Sequence, residues 1–413
     1  MSRRVYIETY GCQMNLADSE LALGLLAEHG FEEVASPAEA DVILVNTCAI
    51  REHAEERVVG RLMQLRPHKL RSAEVKIGVL GCMAQHHRAR LLDRLPFLDL
   101  VLGPDEYRRL PAVLDAEGYD DPMIEVRLGR EETYADVAPA RRDRVRAWVS
   151  VMRGCDKFCS FCVVPYVRGR ERSLALPDLL QQMRVAAEQG FREVVFLGQT
   201  VNAYRDGEHD FADLLHAASR IDGIERIRFT SPHPSDMSER IVEAMAREAK
   251  ICPQLHLPLQ SASDAVLERM ERGYTIEEYD RLVTRLRAVM PGIALSTDII
   301  VGFPGETEAD FQATIDYLGA AGFDHAFLFA YSAREGTKAA RWPETVTAEE
   351  KNRRLRTIIE LQERISAEKN RVWTGRTVEV LVEGKARRGE GWMVGKSAEF
   401  KTTVFASARH GVG

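Results

Sequence analysis

The sequence has no apolar run long enough to cross a bilayer, because charged residues, 29% of the total, interrupt every hydrophobic stretch. No secretory leader is expected, because Met1-Ser-Arg-Arg-Val-Tyr-Ile passes straight into a strand-like pattern with no h-region. Internal repeats and low-complexity tracts are absent, which excludes solenoids and disordered linker proteins. Cysteine is scarce. Its seven copies, Cys12, Cys48, Cys82, Cys155, Cys159, Cys162 and Cys252, are an odd number without a leader. That argues against a disulfide framework and for metal binding or thiol chemistry. A cytoplasmic protein with no membrane association is expected, and a monomer is the default.

What is present is a 413-residue chain with ordinary globular composition, long enough for two or three domains. The net charge is −7, but it is segregated. Arg141–Arg172 carries nine Lys/Arg against three Asp/Glu, and Lys351 to the end carries fourteen against seven. Such segregation suits a protein that meets a polyanion at one place and repels it elsewhere. Solvated helix faces are the plainer reading of Lys351–Arg371. Two basic regions together favour nucleic acid.

The first 120 residues alternate strand-like segments (Val5–Tyr10, Val42–Asn46, Val75–Leu80) with helical periodicity at Leu21–His29 and Ala54–Leu65. This predicts βαβ units and an open parallel α/β sheet. Residues 121–140 lack a clear period and read as a linker. From 141 to 371 the alternation resumes, with strands expected at Ala147–Met152, Glu193–Leu197, Arg226–Thr230, Gln254–Leu257, Ala294–Ile300 and His325–Ala330. Six βα units favour a partial (β/α)6 barrel with chemistry at its C-terminal strand ends. Residues 372–413 read as a small β module that stops short at Arg409–Gly413.

Cys155-x3-Cys159-x2-Cys162 follows a predicted strand and occupies a loop. Zinc sites and ordinary clusters usually take four protein ligands. Three thiolates with no fourth nearby would leave one iron of a [4Fe-4S] cluster open to substrate. Cys12, Cys48 and Cys82 each stand just past the end of a predicted parallel strand. In an open sheet those ends share one edge, so three cysteines far apart in sequence should converge into a second three-thiolate site. Singly, each would pass for a small core residue. Cys252 reads as structural, and an exposed helix face accounts for His86 and His87 as well as metal ligation does.

The Cys-x3-Cys-x2-Cys run with Phe161 before its last cysteine resembles the radical S-adenosylmethionine superfamily. The two triads in this order resemble the methylthiotransferase family within it, a resemblance covering nearly the whole chain. Val151-Met-Arg-Gly-Cys through Arg170-Glu-Arg-Ser173, Glu8-Thr-Tyr-Gly-Cys-Gln-Met-Asn15 and Leu197-Gly-Gln-Thr-Val-Asn-Ala-Tyr204 are similar to the branch acting on N6-isopentenyladenosine in tRNA. Gln260-Ser-Ala-Ser263 departs from the pattern by an alanine where glycine is expected.

The resemblance implies two [4Fe-4S] clusters and two S-adenosylmethionine molecules per turnover. One methylates a sulfur at the Cys12/Cys48/Cys82 site. The other is cleaved at the catalytic Cys155/Cys159/Cys162 site to a 5′-deoxyadenosyl radical that takes hydrogen from C2 of the adenosine at tRNA position 37. It also implies a low-potential electron donor such as flavodoxin, an unspecified sulfur donor, and a C-terminal β-barrel of the TRAM type, here apparently truncated.

Cofactor contacts are expected from Phe161, Gln199, Asn202, Ser231, His233, Gln260, Asp298 and Gly302, most of them at C-terminal strand ends. Gly302-Phe-Pro-Gly-Glu306 would alternatively be a plain βα turn. Arg168, Arg170 and Arg172 alternate and, if extended, would share one face as a phosphate clamp. Lys385, Arg387, Arg388 and Lys396 would add contacts to the tRNA backbone. Trp373 and Trp392 could stack on bases, although core filling is commoner.

Alternatives are the same chemistry on threonylcarbamoyl-adenosine in tRNA or on a ribosomal-protein aspartate. From other classes come a non-catalytic iron–sulfur RNA-binding or sensor protein, and a simple zinc protein.

Overall fold

The computed structural model describes residues 3–49, 52–115, 121–389, 391–407 and 411–413. The chain forms two compact units. The first comprises Met1–Arg142, Met152–Asp156 and Cys162–Arg172; the second comprises Asp143–Val151, Lys157–Phe161 and Ser173–Gly413.

The first unit is built on a parallel sheet of β1 (Arg3–Tyr10), β2 (Phe31–Glu33), β3 (Val42–Thr47), β4 (Lys76–Gly81), β5 (Leu100–Leu102) and β6 (Met123–Glu125), in the order β2-β1-β3-β4-β5-β6. Apolar runs such as Val42-Ile-Leu-Val suit strands covered on both faces, and β3 is buried along its whole length. Helix α1 (Gln13–Glu28) covers one face through Leu21, Leu25 and Leu26. Helices α2 (Glu52–Arg71) and α3 (Cys82–His87) cover the other through Leu62, Leu65 and Met83.

Residues 121–140 are not a linker among the described residues. Met123–Glu125 pairs with β5, and the side chains of Tyr134 and Val137 enter the core beneath α1. A three-residue strand and two isolated apolar anchors carry no periodicity, which is why the segment reads as structureless in sequence.

The second unit contains β7 (Arg146–Ser150) and parallel strands Glu193–Leu197, Arg226–Phe229, Gln254–His256, Ala294–Val301 and His325–Ala330. All six expected strands are present. They form two three-stranded parallel sheets, and a parallel bridge between Ile227 and Ile251 carries the chain from the first toward the second. Helices between strands start at well-formed caps. Asp210, Thr275 and Thr307 each accept from the amide three residues on while an acid there reaches back.

The C-terminal segment is a three-stranded antiparallel sheet, Leu381–Lys385, Trp392–Lys396 and Thr402–Ala406. It rests against the N-terminal ends of the barrel strands. Arg226 donates to the Lys396 carbonyl at 2.7 Å, and Arg228 donates to the Ser397 and Ala398 carbonyls at 2.8 Å each. Beneath them Glu193 joins Arg146 and Arg228 in a buried ion cluster. The C-terminal strand ends are left for the site.

Candidate iron–sulfur and S-adenosylmethionine sites

In the first unit, register decides where the thiols fall. Tyr10, Thr47 and Gly81 lie side by side across β1, β3 and β4, so Cys12, Cys48 and Cys82 emerge from adjacent strand ends. Packing there is tight enough to require glycine at two turns. A Cβ on Gly11, at φ 151°, would stand 2.7 Å from the Cys48 Cβ, and one on Gly81, at φ 89°, 2.4 Å from the Asn46 side-chain oxygen. Buried amides lock the arrangement: Asn15 donates to the Asn46 side-chain oxygen and the Thr47 carbonyl at 3.1 Å each, while Asn46 donates to the Asn15 carbonyl at 3.0 Å.

Cys12 is the N-cap of α1 and Cys82 the first residue of α3. A hydrogen bond with Cys48 is the largest influence on the Cys12 thiol. With the Arg168 charge also acting against burial, it is pulled down to about 6. Burial pushes the Cys82 thiol up, opposed by Arg168. Arg168 Nε donates to Cys82 Sγ at 3.1 Å, and its Nη2 lies 2.7 Å from Asp18. Asp18, wholly buried, also faces Arg153 at 3.0 Å. Three converging cysteines, one readily ionised, beside a buried guanidinium fit an anionic iron–sulfur cluster.

This corrects the phosphate-clamp expectation for Arg168 and Arg172. The segment is not extended throughout: Val164–Arg168 is a helical turn with Pro165 at its start, and strand geometry begins only at Arg172. Arg168 points inward, and Arg172 is buried against Asp105 at 2.9 Å. Only Arg170 is exposed, paired with Asp156. Arg146 and Arg153 in the same basic stretch are also internal counter-ions. Much of that local positive charge therefore neutralises buried carboxylates and is not displayed to a polyanion.

Of the second triad, Cys155 and Cys162 belong to the first unit and Cys159 to the second. Cys155 and Cys159 are buried and Cys162 half-buried. Phe158, with φ 49°, holds the loop in the left-handed region, as loops over-determined by a functional site often do. Within the second unit Arg272 Nη1 donates to Cys159 Sγ at 3.4 Å and Nη2 to the Pro258 carbonyl at 3.0 Å. Tyr274 packs beside Arg272, and His233 stands edge-on to Tyr274.

The expected cofactor residues of this unit fall as follows. Asn202 and His233 are tied backbone to side chain at 2.8 and 2.9 Å. Ser231 (φ 59°) and Gln260 (φ 73°) are both left-handed non-glycine residues at strand ends. His233 Nε2 and Gln260 Oε1 are buried without a hydrogen-bond partner among the described residues. Burial and the charges of Arg272 and Lys157 press the His233 imidazolium down to about 2, so the ring is neutral. Two orphaned polar atoms beside strained turns at C-terminal strand ends fit a polar cofactor.

Gln199 is half-buried just past Glu193–Leu197. Phe161 packs edge-on against Phe303. Asp298 faces His256 at 3.4 Å, within the strand and not at its end. The Gly302 amide is taken by the Glu306 carboxylate, itself 2.7 Å from Arg354, so the turn is latched to helix Ala348–Arg371. The plain turn reading holds for Gly302, whose amide serves its own loop. Lys385, Arg387 and Arg388 are exposed, as is Trp392. Cys252 is buried outside both triads, its thiol pushed up to about 11 by burial.

Sequence reading missed Arg272, more than a hundred residues from the cysteine it touches, and the roles of Asp18, Asn15 and Arg168. Arginine soon after a cysteine motif is the signal for the last, although in sequence alone it reads as surface charge.

Residues 149–318 match the model of the Radical SAM superfamily and residues 4–103 that of Uncharacterized protein family UPF0004. The fold resembles the radical S-adenosylmethionine methyltransferase TsrM from Kitasatospora setae (TM-score 0.60, 15% identity, 82% of this chain and 77% of that one). It also resembles the cobalamin-dependent S-adenosylmethionine radical enzyme OxsB (TM-score 0.57, 14% identity, 88% and 56%). These define a mixed α/β radical SAM protein, a class whose chemistry implies a [4Fe-4S] cluster and S-adenosylmethionine.

Among curated relatives, the tRNA-2-methylthio-N(6)-dimethylallyladenosine synthase of Chlorobium luteolum is 45% identical over 98% of this chain and 91% of its own length. That of Carboxydothermus hydrogenoformans is 44% identical over 97% and 92%. The chain belongs to the family of tRNA-2-methylthio-N(6)-dimethylallyladenosine synthases.

Proposed function

We propose that this chain transfers a methylthio group to C2 of N6-isopentenyladenosine at tRNA position 37, using two [4Fe-4S] clusters held by Cys155/Cys159/Cys162 and by Cys12/Cys48/Cys82. The convergence of Cys12, Cys48 and Cys82 at adjacent strand ends carries this reading. Hydrogen abstraction needs one radical-generating centre, whereas delivery of sulfur needs another place to hold it. When bound, the clusters supply the electron that cleaves S-adenosylmethionine and a seat for the transferable sulfur.

The chain's own residues do the rest. Arg272 steadies Cys159, Arg168 steadies Cys82, and each places a buried positive charge where anionic thiolates gather. Asn202 fixes the turn that presents His233, whose neutral Nε2 joins Gln260 Oε1 as a polar contact for S-adenosylmethionine. Phe161, Gln199 and Ser231 complete that set. The exposed Lys385, Arg387, Arg388 and Arg170 supply tRNA-backbone contacts, and the three-stranded C-terminal sheet serves as part of a TRAM-type module.

Segments 1–120, 141–371 and 372–413 divide these tasks between sulfur delivery, radical generation and tRNA docking. The protein works as a cytoplasmic monomer with a flavodoxin-like donor, consistent with no described helix being long and apolar enough to cross a membrane. Mass spectrometry of tRNA from a deletion strain tests the substrate. Loss of methylthio-isopentenyladenosine, with the unmodified isopentenyl form accumulating, is expected; an unchanged methylthio level contradicts the proposal.

A further inference from the structure

Glu55, on the first turn of α2, is buried among half-buried histidines from the last turn of α3. Its carboxylate lies 3.3 Å from His87 Nε2 and 4.0 Å from His86 Nδ1. The three ligand atoms all fall within 4.8 Å of one another, and the two rings stand edge to face with centroids 4.8 Å apart. Tetrahedral zinc with ligands at about 2.0–2.1 Å separates its ligand atoms by about 3.4 Å. The Glu55–His87 pair already has that spacing, and rotation of the half-buried His86 ring would bring its Nδ1, now 4.0 Å from Glu55, into range.

We propose that Glu55, His86 and His87 form a mononuclear site for a borderline divalent cation, zinc or ferrous iron, distinct from both cysteine triads. Two neutral imidazoles and one carboxylate are the donor set such ions take, leaving a position for water.

The placement gives the ion a task. Helix α3 begins at Cys82, and α2 begins four residues after Cys48. An ion joining Glu55 to His86 and His87 would pin together the two helices that follow these cysteines, holding two of the three strand-end thiols at fixed spacing. It would act as a clamp on the triad, not as part of it.

The test uses the full chain with its iron–sulfur centres reconstituted, so that the triad thiols are occupied. After anaerobic dialysis against low-micromolar zinc, the wild type should retain one zinc ion per chain in addition to its iron. Zinc should also raise its thermal midpoint. His86→Gln and His87→Gln, two separate variants, should each weaken retention by about tenfold or more while keeping the iron content, and their thermal midpoints should not respond to zinc. Cys252→Ser, which removes the spare thiol, should bind zinc like wild type. Failure of the wild type to retain zinc overturns the proposal. So does retention that persists in both histidine variants or disappears in Cys252→Ser.

Discussion

Replacing Arg168 with Met removes the one described side chain that joins a Cys82 sulfur to a buried carboxylate. Two costs can be worked from the geometry. The first is to stability: breaking a buried ion pair costs about 3–5 kcal/mol. Asp18 would keep Arg153 at 3.0 Å, so the low end, about 3 kcal/mol, is expected. The second is to the metal centre. A hydrogen bond from a charged donor contributes about 1.5–3 kcal/mol. It favours the more negative, reduced state of any cluster ligated through Cys82. At about 1.4 kcal/mol per 59 mV for one electron, losing it lowers the reduction potential by about 60–130 mV.

Arg168→Lys separates the two effects, because it retains a cation near Asp18 but cannot donate to both partners through a guanidinium fork. Its stability loss should be smaller, with the potential still reduced. The assay is redox-poised EPR of the reconstituted protein in a Cys155→Ala/Cys159→Ala/Cys162→Ala background, leaving only the N-terminal triad to be titrated. A potential equal to that of the parent, with full iron loading, would refute the role assigned to Arg168.

Arg272→Met should depress anaerobic production of 5′-deoxyadenosine while leaving iron at the N-terminal triad unchanged, read by activity and iron analysis of the two triad-deleted backgrounds. Gly81→Ala should lower iron incorporation at Cys82 because its Cβ would meet the Asn46 oxygen and the Thr47 carbonyl; wild-type loading would show that the turn tolerates a side chain. His233 is held neutral in the fold but titrates near 6.5 when unfolded, so protonation stabilises the unfolded chain as pH falls below that value. Its contribution is a loss of about 1.4 kcal/mol per pH unit below 6.5, absent in His233→Phe; equal acid sensitivity of both chains by denaturant titration would contradict it. Lys385→Gln/Arg387→Gln/Arg388→Gln should weaken tRNA binding and flatten its salt dependence by about two to three units of log–log slope, measured by filter binding.

The barrel strands were legible because parallel strands covered on both faces write themselves as apolar runs, Val194-Val-Phe-Leu197 being one. The N-terminal triad was legible for a related reason: parallel order puts Tyr10, Thr47 and Gly81 in one row, and whatever follows them must meet. Short elements were not legible. Strands β2, β5 and β6 have three residues each, too few to show a period.

Charge was read least well. Arg168 and Arg172 share an alternating spacing with Arg170, but the helical turn at Val164–Arg168 sends the first inward, and Asp105 holds the last. Nothing in a run of basic residues reveals that aspartates far away in sequence, Asp18 on α1 and Asp105 after β5, will neutralise them. The tie between Arg272 and Cys159 was hidden for the same reason, since it is made only when the barrel closes the distance between them.

The division of labour between the triads is tested most directly by turnover with isopentenylated tRNA, a reductant and S-adenosylmethionine. The wild type should form both 5′-deoxyadenosine and methylthio-isopentenyladenosine. The Cys12→Ala/Cys48→Ala/Cys82→Ala variant should still form 5′-deoxyadenosine and no methylthio product. Methylthiolated tRNA from that variant would contradict the account.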